Sequence, residues 1–363
     1  MPPSGFVTRG HAAALAVVAR AVAAERPPHA LLLSGPAQVG KTTLAFDLAA
    51  GLLCQAAEPR DRPCRACTAC RRVGSGNHPD LHVLAPDGAG GQIRLGQVQA
   101  LAGELALLPL EGRFRVAIVE HAQRLNLDAQ NALLKTLEEP PAKVVLILAA
   151  DEPSGLLPTV VSRCARLRLG AVGGAVIGEL LAEAGLADAA RGAALGRLSG
   201  GRPGVALNLA ANPETLLGQA RLARSLLDLL AADRHSRLAA AAGATPAADE
   251  DAEAAPAGGG RVAARSTPAE RRASVAQLLA VWRGVARDLA FAARGGAAAV
   301  QQHELLDELE TAARRVDAGH IARFVERLES LSRALDSYAN PELALDVLLL
   351  EWPAARPASV TAA

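Results

Sequence analysis

The sequence predicts an α/β domain, a parallel sheet with flanking helices on both faces, followed by a short helical region and a separate all-α C-terminal block. Three observations lead there. Short apolar runs alternate with segments of helical periodicity between His11 and Ala149, the pattern of strands joined by crossover helices. A glycine-rich turn stands between the first apolar run and the helix after it. Residues 239–266 contain almost no large apolar side chain, so they cannot offset the entropy of ordering and read as a disordered linker ahead of the last block.

In order, residues 11–26 have helical spacing, and 30–34 (ALLLS) form a short apolar run that reads as a buried strand. Residues 42–53 are helical, and a cysteine-rich insertion at 54–70 follows. His78 to Leu84 reads as a second strand, 95–107 as a helix and Arg115 to Val119 as a third strand. A helix near 126–138 stops at Pro140-Pro141, and 143–149 is a further apolar strand. From 171 to about 235 the pattern is helical, broken at Gly200 to Gly204. Thr267-Pro268-Ala269-Glu270 and Asn340-Pro341-Glu342 carry helix-start chemistry, a cap followed by proline. The expected domains are therefore 1–170, 171–238, a linker at 239–266, a helical block at 267–351 and a tail at 352–363.

The bulk properties exclude more than they assign. The 363 residues suffice for two or three domains. A formal charge of +1 supplies no basic field for autonomous DNA binding. The N-terminus lacks signal-peptide character, and no apolar run reaches the ~18 residues that span a bilayer, so the sequence reads as cytoplasmic with no membrane partner. Four of the five cysteines lie close together, which in a reducing compartment points to metal more than to disulfides.

Gly35-Pro36-Ala37-Gln38-Val39-Gly40-Lys41-Thr42 fits the phosphate-loop pattern in its required setting of strand, loop and helix. Backbone N–H groups of such a loop, with Gly35 and Gly40 as its turning points, face phosphate oxygens. Lys41 would reach the β- and γ-phosphates of ATP or ADP, and Thr42, with Thr43 beside it, would hold Mg²⁺. Cys54, Cys64, Cys67 and Cys70 follow a C-x9-C-x2-C-x2-C spacing. Four thiolates with no open position describe a structural Zn²⁺ site. Arg60, Arg62, Arg65, Arg71 and Arg72 surround it and could touch phosphate. Without aromatic stacking residues, a solvated surface is the better expectation.

The phosphate loop, the cysteine knuckle behind its helix, Asn131-Ala132-Leu133-Leu134-Lys135-Thr136-Leu137-Glu138-Glu139-Pro140-Pro141 and Ser162-Arg163-Cys164 together resemble the AAA+ subunits of bacterial DNA polymerase III clamp loaders. The resemblance spans roughly residues 8–210. It implies that 171–238 is the family's lid and 267–351 its collar. Two branches share these features, the gamma/tau motors and the delta-prime subunits. In a motor the strand ending at Val119 would be followed by Asp-Glu, but here Glu120 and His121 stand there. Glu120 could still act on Mg²⁺ through water as a degenerate Walker B residue. His121 is a poor substitute for a carboxylate that activates water.

Strand 143–149 should deliver a polar sensor and offers Ala150, and the lid's sensor arginine would align near Gly204, with Arg202 two residues earlier. His78-Pro79-Asp80 followed by Leu84-Ala85-Pro86 also resembles delta-prime. The resemblance makes Arg163 an arginine finger that acts in trans on a neighbour's ATP. It implies a subunit whose own hydrolysis is weak or absent, with no polymerase activity. Its implied partners are the gamma/tau and delta subunits and, through the complex, the sliding clamp and primer–template DNA. The alternative is an active gamma/tau-type ATPase.

Overall fold

The computed structural model describes residues 5–87, 91–237, 268–336 and 341–354. The expected linker at 239–266 and most of the tail lie outside them. The chain divides into two compact units, Met1–Ala211 and Asn212–Ala363.

The first unit is built on a five-stranded, all-parallel sheet in the order β2-β3-β4-β1-β5. Its strands are β1 (Ala30–Ser34), β2 (Leu81–Leu84), β3 (Arg115–Val119), β4 (Val144–Ala150) and β5 (Ala165–Arg168). β1, β3 and β4 are buried along their whole length, as expected of parallel strands covered on both faces. Alternate residues point to opposite faces of a strand, and the two cores divide accordingly. Leu31, Leu33, Ile118 and Ile147 pack with α1 (Ala12–Ala23) and α2 (Lys41–Leu53). Leu32, Ala117, Val119, Leu146 and Leu148 pack with α4 (Leu95–Leu105) and α5 (Leu127–Glu138). Each fully buried leucine of this kind contributes about 1.5–3 kcal/mol.

One strand expectation changes, and one strand was not expected. The second strand begins at Leu81 rather than His78, because the chain before it turns to bury Asp80. β5 carries no apolar signal, since three of its four residues are exposed at the sheet edge.

α3 (Thr68–Gly74) carries Cys70, the last cysteine of the cluster, ahead of β2, and α6 (Pro158–Val161) precedes β5. α7 (Gly174–Glu183), α8 (Ala189–Leu198) and α9 (Pro203–Ala211) complete the first unit. The residues expected as one lid, 171–238, thus divide between the units at 211/212. The next helix, α10 (Pro213–Asp228), places Ala223 and Leu226 in the second unit's core.

That core also receives helices Pro268–Ala292, Leu306–Ala313, Ala318–Asp336 and Pro341–Glu351. Trp282, Phe324 and Trp352 meet at its centre with ring centroids 4.8–6.3 Å apart. Trp352 falls in the stretch expected as tail. It is only 2% exposed, because its indole N–H donates to the Leu226 carbonyl at 2.9 Å and the Arg237 guanidinium holds the carbonyls of Trp352 and Pro353.

Candidate functional site

The phosphate loop leaves the C-terminal end of β1, which lies between β4 and β5. Ligands of open α/β sheets bind at such strand ends. The loop's shape depends on left-handed backbone at Gly35 (φ 146°), Gln38 (φ 62°) and Gly40 (φ 110°). At Gly35 a Cβ would lie 2.1 Å from the Leu169 carbonyl oxygen, so only glycine fits. Gly40 is the residue before α2, and Thr42 and Thr43 are exposed on that helix's first turn. His11, buried beside the loop, contacts the Val39 carbonyl through Nε2 at 2.9 Å.

Lys41 does not extend into solvent. Its buried ammonium donates to the carbonyls of Gly35 and Pro36, both at 2.8 Å, and to Asp151 Oδ1 at 2.7 Å. Asp151 is held in turn by Gln123, whose amide donates to Oδ2 at 3.0 Å and accepts the Asp151 N–H at 3.2 Å. The polar group at the end of β4 is therefore Asp151, whereas Ala150, the expected sensor position, is fully buried. No motif marks Asp151; only its place one residue past the last apolar residue of the strand does.

Glu120 follows β3 and is half-buried, and His121, in left-handed backbone, is exposed with Nδ1 3.9 Å from Asp151 Oδ2. Gly204, at the start of α9, donates its N–H to the Gln38 carbonyl at 3.0 Å, and a Cβ there would stand 3.0 Å from Gln38 Cβ. A larger residue could not stand so close to the loop. Arg202 instead donates through Nε to the Ser199 carbonyl at 3.0 Å.

The four cysteines expected to bind metal do converge. The sulfurs of Cys54, Cys64, Cys67 and Cys70 lie within 4.8 Å of one another and could hold one metal ion. The donor set fits such an ion on its own chemistry. The N–H groups of Ala56 and Cys64 donate to Cys54 Sγ, that of Cys67 to Cys64 Sγ and that of Cys70 to Cys67 Sγ, each at 3.4 Å. Such bonds favour thiolate, and the N–H groups of Cys67 and Ala66 bring the Cys64 thiol down to about 6. Burial pushes the Cys54 and Cys70 thiols up, a cost that a cation would offset. Cys164 is buried apart from them and donates to the Val160 carbonyl.

Three of the knuckle's five arginines have partners in the fold. Arg62 is 3% exposed and donates to the carbonyls of Ala56 and Ala57 and to Glu25. Arg65 pairs with buried Asp47, which also accepts the N–H groups of Val7 and Thr8. Arg72 pairs with Glu111 at 2.8 Å. The expectation of a solvated surface fails at Arg62 and Arg65 because each reaches a fixed acceptor inside the fold.

Arg163 lies just beyond α6, with its side chain 36% exposed, and pairs with Glu138 of α5 at 2.7 Å. It also donates to the Thr159 carbonyl at 3.0 Å. Gln130 fixes this corner from α5. Its amide donates to the carbonyls of Leu125 and Gly155 and accepts the Leu157 N–H at 2.6 Å. Leu133 and Leu137 are buried, and Leu134 is half-buried.

A protein-family profile described as "DNA polymerase III, delta subunit" matches residues 10–172. DNA polymerase III subunit delta' of Pseudomonas aeruginosa is 44% identical over 156 residues, covering 43% of this chain and 47% of that one. Residues 10–172 are similar to this family and to delta-prime subunits. The same subunit of Bacillus subtilis is 40% identical over 39% of this chain and 42% of its own. The tau subunit of Salmonella typhimurium is 36% identical over 44% of this chain and 24% of its own. The chain thus spans less than half the length of these relatives. The matched region contains the phosphate loop, the four cysteines, Glu120, His121 and Arg163. Among the described residues no helix is long and apolar enough to cross a membrane.

Proposed function

We propose that this chain is a non-motor, stator-like subunit of a DNA polymerase III clamp loader, which helps ATP-dependent loading of the sliding clamp onto primed DNA. In this reading it assembles with gamma/tau and delta subunits and meets the clamp and primer–template DNA through the complex. Arg163 serves as a finger toward a neighbour's ATP, stabilising charge that develops on the transferred phosphoryl group. The observation that carries the reading is the contrast between its two half-sites. Arg163 is half-buried beyond α6 and is held by a bond to the Thr159 carbonyl and a surface ion pair to Glu138, a pair of a kind worth about 0–1 kcal/mol. At the chain's own loop, the residue after Glu120 is His121, which is exposed and in left-handed backbone. It offers no carboxylate to polarise water.

The loop itself supports nucleotide binding. Gly35 and Gly40 shape it, Lys41 supplies a cation, and Thr42 with Glu120 could take part in holding Mg²⁺ when nucleotide is bound. Cys54, Cys64, Cys67 and Cys70 would hold Zn²⁺ in a structural role, cross-linking the end of α2 to α3. The test is the ATPase rate of the isolated chain and of a motor-containing complex carrying wild-type or Arg163→Ala protein. An inert isolated chain, with hydrolysis at the adjoining site reduced about 10³-fold or more by the substitution, is the expected result. Brisk hydrolysis by the isolated chain would make it a gamma/tau-type motor instead. An unchanged complex would remove the finger.

A further inference from the structure

We infer that Asp151 is an internal anion that occupies the phosphate-binding ammonium, so that a nucleotide must displace it to enter the loop. The inference rests on reading Gly35 to Thr42 as a nucleotide loop and concerns what controls that site. An ammonium has three N–H donors, and those of Lys41 have three partners: the carbonyls of Gly35 and Pro36 and the Asp151 carboxylate. No donor is left for a phosphate. Lys41 is 7% exposed, and a buried cation needs an anion beside it. Asp151 supplies that charge where a terminal phosphate oxygen would otherwise sit.

The carboxylate is also aimed. Gln123 grips Asp151 at two points, donating to Oδ2 and accepting the backbone N–H, which leaves Oδ1 on the lysine. His121, 3.9 Å away on the same side, is the other titratable group that faces it. With carboxylate and terminal phosphate competing for one cation, a triphosphate brings its extra negative charge closest to Asp151. The site therefore favours a nucleoside diphosphate over a triphosphate, and both bind more weakly than the loop pattern alone implies. Asp151 is a specificity-determining residue that acts through Lys41.

The test measures Mg²⁺-ATP and ADP binding to the full chain by titration calorimetry, in wild-type, Asp151→Asn, Gln123→Ala and Lys41→Met proteins. Asp151→Asn keeps the size and the contact to Gln123 but removes the charge. It is expected to tighten ATP binding at least tenfold and ADP binding less. Gln123→Ala, which frees the carboxylate without touching the loop, is expected to shift affinity in the same direction. Lys41→Met abolishes binding. A purely structural role for Asp151 would weaken binding instead. Equal ATP affinity in wild type and both variants would overturn the inference while leaving the loop a nucleotide site. If no protein binds at millimolar concentration, the loop reading falls and the inference falls with it.

Discussion

Asp80 offers the sharpest test of how this fold is held. It is fully buried between β2 and the loop that leads into β3. Its carboxylate accepts the N–H groups of Leu110, Glu111 and Gly112 at 2.6, 2.9 and 2.6 Å, and Arg115, itself 1% exposed, lies 3.7 Å away. In Asp80→Asn only one oxygen remains, so the donors that met the other oxygen face an amide N–H₂. Each buried donor left without a partner costs about 1–3 kcal/mol, and Arg115 loses one of its two carboxylates, keeping only Glu104 and its carbonyl. We therefore expect a loss of about 3–5 kcal/mol, in the range for breaking a buried pair. For a unit of this size that is a melting shift of roughly 6–20 °C.

The acid limb provides a second reading of the same residue. Burial pushes the Asp80 carboxyl up, but the three N–H donors outweigh it, and the net displacement is downward. A depressed carboxyl contributes stability that is present above its unfolded value, about 3.9, and is lost as pH falls through the folded value. His78 and His82, both depressed by burial, act earlier. Their unfolded forms take up protons first, so stability declines as pH falls below about 6.5. Wild-type protein should thus weaken in two stages, and Asp80→Asn should lack the second. Thermal melts from pH 8 to pH 3, with amide exchange at residues 110–112, measure both effects. A loss under 1 kcal/mol with unchanged exchange would refute the account.

Two further outcomes follow from the packing. Protein purified without chelator should carry one zinc per chain, and Cys64→Ser should lose the metal and lower the melting temperature; metal-free wild-type protein that melts identically with and without added zinc would count against the site. Trp352→Ala removes the side chain that meets Trp282, Phe324 and the Leu226 carbonyl. It should cost about 3–5 kcal/mol in urea unfolding, and a change under 1 kcal/mol would show that the indole is not part of the core.

Much of this protein was legible along the chain because its signals are local. β1, β3 and β4 announce themselves as apolar runs, since a parallel strand buried on both faces needs no alternation. The edge strand Ala165–Arg168 gives no such signal because water meets most of its side chains. The phosphate loop and the cysteine cluster are readable for a related reason. Their chemistry depends on residues a few positions apart, with glycines where the backbone must turn left-handed.

Tertiary structure alone decided which charges meet. Lys41 and Asp151 are 110 positions apart, and β4 brings them together by pairing with β1, so that Asp151 leaves the sheet beside the loop. Arg65 looked like a solvated knuckle residue until the turn of the cluster carried it to Asp47, and Trp352 looked like tail until Leu226 and Arg237 held it. A residue's type states what it can bond to, and composition along the chain states where it can be buried. Which partner it meets is set by how strands align and helices pack, and that selection is made by the whole core at once.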